Sequence, residues 1–270
     1  MRASALAVLV LGFCGISAAQ TIRFTPVDRD VVLEREAGAP ATNEARHARI
    51  KDLFEQAGCH GSALTEETVA GSPTPNIICR LNGRSDETIV VGAAYGRGTT
   101  KDENDSWSAA AVLPSLYQGL AKRHRHHTLL FIAFAGNGNA ASGEEFYATH
   151  MTERETQQAE AVMNLNALGS SPTKVWTHHS DKDLLHSLIV AAYMLKILVS
   201  QVDIDDSSAP QSGPFAAKQI PQITVHSMTQ QDVTAGTAEA FNPQYYLDSY
   251  RLISGYVAYL DQTLKRRKTK

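Results

Sequence analysis

Two nearly continuous apolar runs in the middle of the chain place the strongest constraint on its fold. They are residues 88–95, TIVVGAAY, and residues 128–135, TLLFIAFA. Apolar runs without polar alternation are typical of strands that are buried on both faces of a parallel sheet. Between them lies a helical pattern of apolar residues that continues to Leu120. Because parallel neighbours need a crossover connection, these segments predict a right-handed strand–helix–strand unit.

The strand ends of this unit indicate where a functional site should lie. In open parallel sheets, ligands bind outside the carboxyl ends of the strands. Here those ends are residues 94–96, AYG, and residues 136–138, GNG. We therefore expect the chemistry of this protein at these two loops.

Helical patterns flank this unit on both sides. Residues 43–57 are predicted to form an amphipathic helix. Residues 181–198 are apolar almost all round, which predicts a helix that packs tightly on the sheet, with Ser180 as its cap. A last helix is predicted to begin after Asn242, which caps it.

Two shorter segments predict an antiparallel edge to the sheet. Residues 62–71 and 76–83 have the pattern of two antiparallel strands joined by a turn. Helices on both faces of a mainly parallel sheet make an α/β fold of three layers, α/β/α. The length of the chain is enough for one sizeable core.

The start of the chain predicts an exported protein. Residues 1–19 have the features of a signal peptide: Arg2 supplies a positive charge, residues 5–13 an apolar stretch, and residues 17–19 a small-residue cleavage site. The apolar stretch is too short to span a membrane. We expect residues 20–270 to form a single domain in the periplasm or outside the cell. The net charge of -3 argues against nucleic acid as a partner.

Two cysteines follow the predicted signal peptide, Cys59 and Cys79. In an exported chain a lone pair most simply forms one disulfide, with free buried thiols as the alternative. Neither cysteine has the C-x-x-C spacing or the additional ligands of a metal site. We therefore predict a disulfide.

Four short motifs at strand ends and helix starts resemble those of a known enzyme family. They are VGAAYG at residues 91–96, DSWSA at 105–109, FAGNGNAASG at 134–143 and NLNALG at 164–169. These frames resemble the secreted two-zinc aminopeptidases of metallopeptidase family twenty-eight, which are related to glutaminyl cyclases. The resemblance implies a zinc-aminopeptidase-like fold, also described as phosphorylase/hydrolase-like.

Most reactive side chains of that family are missing at the matching positions. By resemblance, the first metal-binding His falls on Ala94 and its supporting Asp on Gly96. The general-base Glu falls on Asn137, the ligand Glu on Gly138 and the ligand Asp on Asn166. In such enzymes the metals activate a water and polarise the peptide carbonyl, and the base takes the proton. The resemblance therefore implies a degenerate member that lacks most of its metal ligands.

The bridging Asp of the family has an acidic counterpart here at Asp105, which is the metal-ligand position that survives. If the alignment with the family motif were shifted, Asp102 or Glu103 would take this position instead. Trp107 and Ser108 match the motif best when Asp105 is the aligned residue. Its simplest role is to cap the amides of the following helix turn.

Three groups of histidines are candidates for the remaining ligand. His226 lies in a segment that resembles a strand before the ligand-bearing loop of these enzymes, and we expect it to be structural. His178 and His179 follow one another at a predicted strand end, where neighbours point to opposite faces, so they should not share one metal. Residues 123–127, RHRHH, lie at the amino end of a strand, which is the wrong end for a site, and predict a solvated basic turn.

The sequence therefore predicts an exported aminopeptidase-fold protein that is a catalytically inactive pseudopeptidase without a bound cofactor, and whose cleft binds peptides or a protein partner. The first alternative is an active zinc peptidase with rearranged ligands, using Asp105, His226 and one of His178 and His179. The second alternative is a structural or interaction protein without a function in the cleft.

Overall fold

A computed structural model describes residues 21–96, 107–136, 142–203, 213–229 and 240–264. The predicted signal peptide lies outside these ranges. None of the helices in the described ranges is long and apolar enough to cross a membrane.

The described strands form one sheet in the order β1-β2-β4-β3-β5-β8-β6-β7. Strands β4, β3, β5 and β8 are mutually parallel and form the centre, while β2 pairs with β4, and β6 with β8, in the antiparallel sense. The strands are β1 Leu64–Glu67, β2 Asn76–Leu81, β3 Thr88–Ala94, β4 Thr128–Phe134, β5 Ala159–Asn166, β6 Lys174–Trp176, β7 Ser200–Val202 and β8 Gln222–His226. The mainly parallel sheet and its antiparallel edge at β1 and β2 confirm the prediction.

Helices cover both faces of the sheet. The larger apolar cluster joins one face to α1, α2, α3, α6 and α7, and the smaller one joins the other face to α4. The helices are α1 Arg29–Glu36, α2 Asn43–Gln56, α3 Trp107–Ala121, α4 Gly143–His150, α5 Glu153–Gln158, α6 Lys182–Leu195 and α7 Pro243–Thr263. This arrangement confirms the predicted α/β/α layers. As predicted, Asn242 caps α7 by accepting from the N–H groups of Gln244 and Tyr245.

The structure corrects the prediction for α6 in two respects. The cap is Asp181, whose carboxylate accepts from the N–H groups of Asp183 and Leu184, whereas the Ser180 hydroxyl donates to the carbonyl of Trp176. The helix ends at Leu195, and its outer side is exposed, with 86% exposure at Tyr193. The helix packs into the core, as predicted, only through the face that carries Leu184, Leu188, Ala191 and Ala192. Apolar content alone does not show which faces of a helix have a partner.

A disulfide joins the end of α2 to the antiparallel edge. Cys59 and Cys79 are bonded, with their Cα atoms 6.2 Å apart, and both are fully buried. Cys79 lies on β2, so the bond links the residues that follow α2 to the second strand of the sheet. The predicted disulfide is confirmed.

The strand register brings the carboxyl ends of the central strands together. Ala94 on β3 lies beside Phe134 on β4, and Asn166 on β5 lies beside His226 on β8. Ala93 on β3 lies beside Leu165 on β5. These ends form one edge of the sheet, which we call the carboxyl edge.

Candidate active-site cleft

The loops after β3 and β4 approach each other so closely that two glycines are in contact. A Cβ atom on Gly96 would lie 2.4 Å from the Cα atom of Gly136, and one on Gly136 would lie 2.7 Å from the Cα atom of Gly96. A side chain at either position therefore requires the opposite backbone to move. Gly96 matches the supporting Asp of the aminopeptidases, and Ala94, at their metal-binding His, carries only a methyl group. The end of β3 offers neither a metal ligand nor its support.

Helix α2 holds the loop after β3 in place. The Arg46 side chain is buried, and its guanidinium donates to the carbonyl of Tyr95 at 3.2 Å and to that of Pro40 at 2.8 Å. The Tyr95 hydroxyl donates to the carbonyl of Pro75 at 2.8 Å, and burial raises its pKa to about 12. These bonds to backbone carbonyls fix the loop, so the close contact of the two glycines has little freedom to open.

The end of β5 presents a neutral amide. Asn166 is partly buried at the last position of the strand, where the family's ligand Asp is expected. The turn that follows is anchored, because the Ser108 hydroxyl accepts from the N–H of Leu168 and the Ser227 hydroxyl accepts from that of Gly169. The frame of the family motif is thus kept while its charged side chain is absent.

His226 at the end of β8 is fully buried, and one nitrogen of its ring is held by a backbone N–H group. Its Nδ1 accepts from the N–H of Met228 at 3.2 Å. Since a neutral imidazole has one donor and one acceptor nitrogen, Nε2 carries the proton, and it has no partner among the described residues. Burial first, and then the nearby Lys174, lower the pKa of His226 to about 4. The side chain is a strand residue, as expected, and presents no lone pair to a metal.

The structure places a carboxyl group near this edge that the sequence did not single out. Glu144 lies in the first turn of α4, and its carboxyl bonds to the side chain of Asn164, two residues before Asn166 on β5. Burial raises the pKa of Glu144 to about 7. In the sequence it resembles an ordinary acidic residue at a helix start, and only the packing of α4 against the sheet distinguishes it.

The described side chains at the carboxyl edge do not fit a two-zinc centre. Zinc takes imidazole nitrogens and carboxylate oxygens, whereas Ala94, Asn166 and His226 offer a methyl group, an amide and a protonated nitrogen. Glu144 adds one carboxyl, which is too few for two metals. The other candidate positions lie outside the described residues: Asp102, Glu103, Asp105, Asn137 and Gly138.

The histidines of the alternative ligand set are not brought to this edge as a cluster. His178 is exposed in a short turn after β6, and its Nδ1 lies 3.3 Å from the carboxylate of Asp203. The backbone of His179 follows in the same turn. These positions give no support to a metal shared between the two residues.

The basic turn before β4 differs in part from its prediction. His124 and His126 are exposed, but His127 is fully buried. Ligand atoms of Glu87, His126 and His127 lie within 4.8 Å of one another, close enough to hold a metal ion. The prediction of a solvated turn was therefore wrong for His127. Helix α7 packs against this residue, and Asp261 on α7 contacts its ring.

Solved structures with the same fold are aminopeptidases and glutaminyl cyclases. The LapA aminopeptidase of Legionella pneumophila is 14% identical, with a TM-score of 0.71 over 87% of this chain and 71% of that chain. A glutaminyl cyclase of Fimbriiglobus ruber is 13% identical, with a TM-score of 0.68 over 88% of this chain and 97% of that chain. BSAP, a zinc aminopeptidase from Bacillus subtilis, is 18% identical, with a TM-score of 0.56 over 72% of this chain and 52% of that chain. At these identities the likeness shows the fold.

Sequence comparison identifies the family directly. Among curated proteins, none is similar enough to this chain to match. The model of the family described as "Peptidase family M28" matches residues 76–246, which is more than half of the chain. The matched range contains all four motifs and the whole carboxyl edge. The chain therefore belongs to peptidase family M28.

Proposed function

We propose that this protein is an exported member of family M28 that does not hydrolyse peptides and that binds a peptide or a protein partner through the cleft at the carboxyl edge. Its aminopeptidase-like fold supports a peptide-sized ligand. The signal-like residues 1–19 and the disulfide between Cys59 and Cys79 support export, because disulfides persist in oxidising compartments.

One observation carries the proposed loss of hydrolysis. Ala94 and Asn166 end β3 and β5, which are adjacent strands, at the positions where the family resemblance places an imidazole and a carboxylate. Hydrolysis by a metal centre needs a water whose pKa is lowered by a metal held by several ligands. Here the strand ends supply a methyl group and a neutral amide instead. A cleft without metals also favours a neutral amide, since neighbouring carboxylates would repel one another.

Asp105 has a structural role in this proposal. Helix α3 begins at Trp107, two residues later. A carboxylate close to a helix start is favoured by the positive end of the helix dipole, typically by about 0.3–1 kcal/mol. In the alternative of an active peptidase, Asp105 would instead bind zinc together with rearranged ligands.

An aminopeptidase assay tests the proposal. The purified protein is incubated with an aminoacyl chromogenic substrate and, separately, with a peptide that begins with glutamine, each with added zinc, cobalt or manganese. We expect no turnover above the buffer blank. Turnover that survives extensive purification, is lost with a chelator and disappears in Asp105→Ala would instead establish the active alternative.

A binding assay tests the ligand of the cleft. Fluorescent tripeptides are titrated into the wild-type protein, Ala94→Phe and His124→Ala. Ala94→Phe fills the cleft where Ala94 is partly buried, while His124 is exposed in the turn before β4, at the opposite end of that strand from the cleft. We expect saturable binding that weakens at least about tenfold in Ala94→Phe only. Absence of saturable binding, or equal affinities in all three proteins, would favour a structural protein without a function in the cleft.

A further inference from the structure

Two histidines and a glutamate meet at the end of the sheet opposite the cleft. Glu87 directly precedes β3, and His126 and His127 directly precede β4. These parallel strands begin side by side, and the N–H of Thr128 donates to the carbonyl of Glu87 at 2.8 Å. The three side chains therefore come from backbone that the sheet holds rigidly.

The spacing of their polar atoms suits a tetrahedral metal ion. Nε2 of His126 lies 3.3 Å from Oε2 of Glu87, and ligand atoms of all three residues lie within 4.8 Å of one another. Two ligand atoms at about 2.0–2.1 Å from zinc and at a tetrahedral angle are about 3.3 Å apart. His126 is exposed, so its ring can turn to complete the geometry.

Asp261 on α7 orients the ring of His127 for metal binding. Its carboxylate accepts from the N–H groups of His126 and His127 and lies 3.2 Å from Nδ1 of His127. A carboxylate beside Nδ1 places the proton there and leaves the lone pair on Nε2. Nε2 of His127 is buried and has no hydrogen-bond partner among the described residues. The Ser85 hydroxyl similarly orients Glu87, donating to Oε2 at 3.0 Å.

We propose that Glu87, His126 and His127 bind one divalent transition-metal ion of the zinc type, with Asp261 as the outer carboxylate that orients His127. Two imidazoles and one carboxylate favour such an ion over magnesium or calcium, which prefer oxygen ligands. Water or an external group fills the fourth position. The ion links the starts of β3 and β4 to α7, and it is independent of the cleft because it lies at the amino ends of the strands.

Titration of the metal-free, full-length protein with zinc tests this site. Calorimetry is run on the wild-type protein, His126→Ala and Asp261→Asn, with His124→Ala as the control because His124 is an exposed histidine of the same turn outside the cluster. We expect one equivalent of zinc to bind to the wild-type protein and to His124→Ala with equal affinity. Asp261→Asn should weaken binding by about 10–100-fold, and His126→Ala by at least as much.

Two controls keep the test decisive. Circular dichroism checks that each variant is folded, and Glu87→Gln replaces His126→Ala if the latter does not fold. Cobalt absorption spectra of the wild-type protein should show tetrahedral bands that the ligand variants lose. Absence of saturable binding, unchanged affinity in the folded ligand variants, or binding abolished by Asp105→Ala would overturn the proposal.

Discussion

Two titratable groups near the carboxyl edge should make stability depend on pH in opposite directions. His226 has a pKa lowered to about 4 from its ordinary value of 6.5, mainly by burial. Glu144 has a pKa raised to about 7 from 4.5, also mainly by burial. Each pKa unit of difference between the folded and unfolded states corresponds to about 1.4 kcal/mol.

The sign of each contribution follows from which state binds more protons. Between about pH 4 and 6.5 the unfolded chain protonates His226 while the folded protein does not, so the free energy of unfolding rises with pH by roughly 2.5–3 kcal/mol. Between about pH 4.5 and 7 the folded protein keeps the proton on Glu144, so the same free energy falls with pH. The pKa shift sets an upper limit of about 3 kcal/mol, which solvent screening of this partly exposed carboxyl reduces. In the wild-type protein the two contributions largely offset each other.

Urea unfolding of single variants separates the two groups. The free energy of unfolding is measured from about pH 4.5 to 7.5. For Glu144→Gln it should rise with pH relative to the wild-type protein, because the contribution of His226 is then no longer offset by that of Glu144. His226→Gln should lose stability over the same range relative to the wild-type protein. The double variant is the control and should return to the wild-type profile. Parallel profiles for all four proteins would refute the assigned burial of both groups.

Three further outcomes are expected. Replacing Cys59 and Cys79 by alanine should lower the free energy of unfolding by about 3 kcal/mol, measured by denaturation under non-reducing conditions, because the disulfide closes a loop with a sequence separation of 20. Gly96→Asp should destabilise by about 1–3 kcal/mol, measured in the same way, because its side chain meets the backbone of Gly136; equal stability would show that the two loops separate easily. Asn166→Asp should show no zinc-dependent rise in its unfolding midpoint beyond that of the wild-type protein, and a rise confined to the Asp form would indicate a nearly intact metal site.

The central strands could be predicted because their signal is local. The apolar runs at β3 and β4 and the cap of α7 at Asn242 depend on residues close together in the sequence, and the structure confirms them. Ser180 and Asp181 are both good caps, so local sequence could not decide between them. The actual cap became clear only from the path of the chain out of β6.

The sequence predicted which residues lie at the strand ends of the site, but it did not predict which polar side chains are buried. The family motifs placed Ala94 and Asn166 on the carboxyl edge, where the structure also has them. The environments of Glu144 and His127 depend on partners far away in the sequence, such as Asp261, which is 134 residues from His127. No periodic pattern carries that information, because it arises when helices pack on the sheet.

Zinc-edge anomalous diffraction from crystals grown with zinc tests most directly whether the cleft has lost its metal centre. We expect no anomalous peak between the ends of β3 and β5, near Ala94 and Asn166, because the side chains there offer no zinc ligand. A strong peak in that position, with an oxygen of Asp105 at about 2.0–2.2 Å, would contradict the proposed loss of hydrolysis and establish a rearranged metal centre.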